Sequence, residues 1–201
     1  MNEAFIVLPG VGRRLDLGNF EALVLATAAQ TSSEYTLLQV QGEPPDFAPP
    51  LHLHRDTAEA FYVLEGEYLM YVQDRQQLCP PGTLVYVPRD APHTFRVVSA
   101  IPGKKLVLFS PAAMLGYFVE LAAAEATGQA TSELLDAIAT RNNVEVLGPI
   151  PDTYFLTLMG LSMKRTEALP SAAGVGEGSS WSTPATALGA IASRRASSAI
   201  P

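Results

Sequence analysis

Residues 52–66 read HLHRDTAEAFYVLEG and residues 81–95 read PGTLVYVPRDAPHTF. Together they hold all three histidines of a 201-residue chain: His52, His54 and His93. Successive side chains of a strand point to opposite faces, so His52 and His54, two residues apart, can present both imidazoles to one point. Glu59 follows five residues after His54, an odd offset that strict alternation sends to the other face. The intervening Arg55-Asp56-Thr57-Ala58 suits a turn or bulge that corrects this. His93 comes just after the turn Pro88-Arg89-Asp90-Ala91-Pro92, where a neighbouring strand can begin. Three imidazoles and one carboxylate suit one divalent first-row ion such as Fe, Ni, Mn, Co, Cu or Zn. Four protein ligands leave positions open on a five- or six-coordinate ion, and catalysis needs open positions. Phe61 and Phe95 each lie two residues beyond a candidate ligand and share its inward face, and Met70 joins them by hairpin placement. These three are the candidate substrate-binding residues.

Outward from this block, short apolar runs alternate with turn formers. Phe61–Leu64, Tyr68–Val72, Leu84–Val87, Thr94–Val98 and Leu106–Phe109 read as strands, separated by Glu65-Gly66-Glu67, Pro80-Pro81-Gly82 and Pro88–Pro92. Ala22–Thr27 and Tyr35–Val40 add strands on the N-terminal side. Many short strands at this spacing predict a mainly β sandwich or barrel. The pattern changes at Ser110-Pro111, where Ser suits an N-cap and Pro the first helical position. A helix is expected from there to Gly128, with Met114, Phe118 and Leu121 packed on the barrel, and a second helix from about Ser132 to Arg141. An extended segment around Gly148-Pro149-Ile150-Pro151 and an apolar stretch Tyr154–Met163 follow. The expected organisation is a β-barrel with its N-terminal strands over 1–110, a helical and irregular C-terminal extension over 111–168, and a disordered Ala/Ser/Gly/Thr tail over 169–201.

Composition excludes several classes. Thirteen Lys and Arg against twenty Asp and Glu leave a net charge of −7, the wrong sign for a protein that holds nucleic-acid phosphates. One cysteine, Cys79, permits no internal disulfide and no Cys-rich zinc site. The N-terminus MNEAFIVLPG lacks the basic residues of a signal peptide, and no run approaches the ~20 apolar residues that span a bilayer. The expectation is a cytoplasmic protein with no membrane or nucleic-acid partner, acting on a small molecule and paired as a homodimer that hides its sheet edges.

The two motifs resemble those of the cupin superfamily. The first cupin motif places glycine, His-x-His, glutamate and glycine at spacings met by His52, His54, Glu59 and Gly66, with Asp46 at the leading glycine position. The second is met by Gly82, Pro88 and His93, with Asp90 in place of a glycine and Val97 in place of an asparagine. Neither Asp46 nor Val97 occupies a ligand position. Fifteen residues, Glu67–Pro81, separate the motifs, and the resemblance spans residues 46–98, about a quarter of the chain. It implies a double-stranded β-helix, or jelly roll, with His52, His54, Glu59 and His93 holding one divalent transition metal. The runs 52–66 and 81–95 are most similar to single-domain bacterial cupins of the quercetinase type. That likeness implies a dioxygenase cleaving a flavonol with O2, in which Glu59 is both ligand and acceptor of the substrate's enolic proton. The same ligand set also serves an isomerase, a cyclase, a decarboxylase or a non-enzymatic cupin that binds a small molecule.

Overall fold

The computed structural model describes residues 3–149. The apolar stretch Tyr154–Met163 and the tail 169–201 lie outside the described residues. In chain order the elements are β1 (Arg13–Asp16), β2 (Glu21–Ala26), β3 (Thr36–Glu43), β4 (Leu51–His54), β5 (Ala58–Glu65), β6 (Tyr68–Val72), β7 (Arg75–Cys79), β8 (Leu84–Val87), β9 (His93–Val97) and β10 (Gly103–Ser110). Helices α1 (Leu115–Ala126) and α2 (Ser132–Arg141) follow, then β11 (Val144–Gly148).

The strands form two antiparallel sheets. One runs β1-β2-β3-β10-β5-β8 and the other β11-β4-β9-β6-β7. The chain crosses between them at nearly every step from β3 to β10, as a jelly roll requires. The closed barrel expected from sequence is an open pair of facing sheets: among the described residues each sheet ends in an edge strand, with β1 and β8 bounding one, β11 and β7 the other. The inner faces follow the period-2 rule. Leu38 and Val40 of β3, Phe61 and Val63 of β5, Phe95 and Val97 of β9, and Val107 and Phe109 of β10 are all buried in one core.

The C-terminal helices differ from expectation at one end. Ser110 does not cap α1. It remains in β10 opposite Ala58, and its hydroxyl donates to the Glu34 carbonyl at 2.9 Å. The helix begins at Leu115, after Met114 in the left-handed region (φ 65°). Strand pairing outcompetes the Ser-Pro start signal because β10 lies between β3 and β5 and gains ladder bonds on both sides. Helix α2 matches its predicted span. Its cap is Thr131, whose hydroxyl accepts from Leu134 N–H, and it buries Leu135, Ile138 and Ala139. The chain then returns to the second sheet: β11 pairs with β4, setting Val144 opposite His54 and Val146 opposite His52. Through β11, the segment beyond residue 110 is thus part of the sheet that carries all three histidines.

Candidate metal centre

Four side chains from three strands converge between the sheets. His52 and His54 come from β4, His93 from β9 and Glu59 from β5. His52 stands directly opposite His93 in the β4–β9 ladder. Glu59 belongs to the other sheet, so its odd offset from His54 raises no conflict: the turn after His54 carries the chain across the core, and Glu59 faces the imidazoles from the far side. The four candidate ligand atoms lie within 4.8 Å of one another. His54, Glu59 and His93 are buried.

The hydrogen bonds around the rings set their tautomers. His52 Nδ1 donates to the Pro50 carbonyl at 2.8 Å, and His93 Nδ1 donates to the Ala91 carbonyl at 2.9 Å. A carbonyl can only accept, so each Nδ1 carries a proton and the neutral form of each ring presents a bare Nε2 inward. Burial, reinforced by the neighbouring His93 and His54, pulls the His52 pKa down to about 3, so this ring is neutral at physiological pH. Burial of Glu59 opposes its ionisation, but hydrogen bonds with His54 and His93 outweigh it and hold the carboxyl well below the usual carboxylate range. His93 Nε2 nevertheless sits 2.9 Å from Glu59 Oε2, and His54 Nε2 sits 3.1 Å from the same oxygen. Among the described residues His54 has no partner on Nδ1, so its Nε2–H can donate to that oxygen; a bare His93 Nε2 and a carboxylate oxygen are both acceptors, and a positive charge between them, a proton or a metal ion, makes that approach favourable. The donor set of nitrogen and oxygen without sulfur fits a divalent first-row ion.

The cluster opens onto a partly open cavity of about 110 Å³ lined mainly by apolar side chains. One water needs ~10–15 Å³ on this measure, so the space suits a small organic molecule. His52, His54 and Glu59 form one part of the wall. Phe61 and Phe95 line it as expected from sequence, and Phe61 lies 6.3 Å from the His93 ring between centroids. Met70 is brought elsewhere: it faces Phe95 across the β6–β9 ladder and packs in the core without reaching the cavity wall. Alternation settles the face a side chain occupies, but strand order settles its distance from the metal ligands, and β6 lies one strand further from β4 than β9 does.

Two sets of lining residues were not singled out in sequence. Tyr117, Phe118 and Leu121 of α1 close the cavity, as does Met114 ahead of the helix; the Met114/Phe118/Leu121 stripe expected to pack on the β domain does so over the cavity itself. Lys105 and Glu43 are also in the wall. Alternation along Lys105-Leu106-Val107-Leu108-Phe109 could have found Lys105, since Val107 and Phe109 point inward, but lysine is seldom buried and biases the reading outward.

Fold and site together define a class: two-sheet β proteins with an interior cluster of three imidazoles and one carboxylate that could hold a metal ion. The particular family follows from the comparison with known proteins. Residues 40–109, about a third of the chain, match the family described as "Cupin domain", so this segment is a cupin domain. A curated relative, "Quercetin 2,3-dioxygenase" of Bacillus subtilis (strain 168), is 30% identical over 95 residues, which are 47% of this chain and 28% of the relative. The chain therefore spans little more than a quarter of that relative's length. Solved structures similar to it include KdgF from Halomonas sp. (TM-score 0.48, 14% identity, 54% of this chain and 94% of that one). The polyketide cyclase RemF from Streptomyces resistomycificus is another (TM-score 0.46, 21% identity, 54% and 80%).

Proposed function

We propose that this cupin is a metal-dependent dioxygenase acting on a small enolisable aromatic compound of the flavonol type. The observation that carries the reading is the His52, His54, Glu59 and His93 cluster opening into an aromatic-walled cavity. The partial likeness to a quercetin dioxygenase supports it. A divalent ion held by these four residues would supply a Lewis-acid centre with open positions. Phe61 and Phe95 would stack on the substrate's rings, and the wall of α1 would exclude water. Glu59, ionised and facing the cavity, would accept the proton of the substrate's enolic hydroxyl.

The test is oxygen uptake and bleaching of quercetin under air by protein loaded in turn with Fe, Ni, Mn and Co. Uptake with at least one ion is expected, and none with any of the four ends the flavonol assignment. In Glu59→Gln, which keeps the shape and removes the charge, uptake should fall by at least about a hundredfold, the usual scale for losing a general base. Turnover of a polyketide or sugar-like substrate without oxygen consumption would instead identify an isomerase, cyclase or decarboxylase, and binding without turnover a ligand-binding cupin. In every case His52→Ala or His93→Ala should lower bound metal sharply, read by elemental analysis.

A further inference from the structure

Away from the metal ligands, the cavity wall carries a second polar group that the proposed chemistry does not use. Lys105 and Glu43 are each 2% exposed and both line the cavity. Lys105 Nζ donates to both Glu43 carboxylate oxygens, and the Tyr68 hydroxyl donates to Glu43 Oε2 at 2.6 Å. An ammonium has three N–H donors. With the carboxylate engaged on one side, the Lys105 ammonium lies 3.8 Å from the Phe95 ring centroid and 5.8 Å from that of Phe61.

The backbone is shaped to create this arrangement. From Val40, strict alternation would point Glu43 outward. Gly42, at φ +81°, is the extra residue opposite the Gly103/Lys104 step, and this bulge turns Glu43 into the core. Gly103 lacks a side chain where the Tyr68 hydroxyl lies, so a Cβ there would collide with the group that holds Glu43. A buried ion pair is commonly no more stabilising than apolar residues of similar volume, so fold stability alone does not account for one in a ligand cavity. Phe61 bridges the two polar ends, its ring near both His93 and the Lys105 ammonium. The wall between is apolar, with Val40, Phe47 and Val107.

We propose that Lys105, oriented by Glu43 and Tyr68, is a specificity-determining residue that hydrogen-bonds an acceptor oxygen at the end of the ligand remote from the metal ligands. The ligand class is a flat aromatic compound with a chelating oxygen pair at one end and a carboxylate, phenolic or carbonyl oxygen at the other. In the bound state the contact of the ammonium with Phe95 gives way to a charge-assisted hydrogen bond, the stronger of the two. The inference rests on the metal-centre reading but not on flavonol cleavage.

The experiment uses the full chain loaded with zinc, titrated calorimetrically with benzohydroxamate and with para-carboxybenzohydroxamate. Both chelate through the same group, and only the second offers an oxygen at the far end. The carboxylated probe is expected to bind at least about tenfold tighter. In the double variant Glu43→Gln/Lys105→Met, which removes both charges and strands neither, the preference should vanish while bound zinc stays within about twofold. Equal affinity of the two probes for the unsubstituted protein overturns the inference, whatever the variant does. So does a preference that survives in the double variant. Failure of both probes to bind zinc-loaded protein overturns the metal-centre reading and the inference with it, whereas failure of quercetin turnover alone touches only the dioxygenase assignment.

Discussion

Asp46 and Asp90 stand where the cupin motifs place glycine, and both hold a backbone that glycine would hold, with φ of 65° and 62°. The left-handed region costs most residues roughly 1–2 kcal/mol, and Asp is among the few that visit it routinely. The departures from the motif are therefore chemical and not conformational. Asp90 matters more to the site, because its N–H donates to the His54 carbonyl at 2.9 Å and ties the turn before His93 to β4. Asp90→Gly should leave bound metal unchanged. Asp90→Val, β-branched and unsuited to positive φ, should lower stability by about 1–2 kcal/mol in urea unfolding and weaken metal binding. Cys79 shows the opposite case, a residue with little to do: it is buried, and burial pushes its thiol up to about 11. It should resist a thiol reagent at pH 8 until the protein unfolds. A raised folded pKa favours the protonated thiol, so its contribution to stability is full below the unfolded value of 9.0 and is lost as pH rises towards about 11.

Among the elements, strands were legible and their partners were not. Every apolar run read as a strand is one, because alternation with β-branched and aromatic residues reports a half-buried pleat directly. Polar β7, Arg75-Gln76-Gln77-Leu78-Cys79, gives no such signal and is held mainly by its ladder with β6. Strand β11 is equally quiet in sequence, yet it covers β4 on the side away from β9. Helix α2 delivers it there, anchored by Leu135, which is 1% exposed and packs with Ala124 and Ile138. Leu135→Ala should cost about 2–5 kcal/mol in denaturant unfolding, the range for removing a buried leucine. Phe118 and Leu121 show how one helix face can be read correctly as packing and still be part of the site, since the surface they pack on is the mouth of a cavity.

For the molecule as a whole, the candidate metal ligands face one another across the two sheets: three imidazoles stand on one and Glu59 on the other. An ion bound by all four would join β5 to β4 and β9, with which β5 shares no ladder, and the ion would bind only the folded chain. Added zinc at a hundred times its dissociation constant should therefore stabilise the protein by about 2.7 kcal/mol, visible as a rise in Tm that a chelator reverses and His52→Ala abolishes. No helix among the described residues is long and apolar enough to cross a membrane. The sequence by itself determined the apolar strands, the second helix, and the four candidate ligands, because each depends on local periodicity or on spacing within a short segment. Only the tertiary structure decided that Glu59 faces the histidines from the other sheet, that Met70 falls short of the cavity while α1 closes it, and that Gly42 turns Glu43 inward to meet Lys105. These depend on which strands become neighbours and where a ladder slips by one residue, and both are settled by packing between segments far apart in the chain, such as Glu43 and Lys105, 62 residues apart.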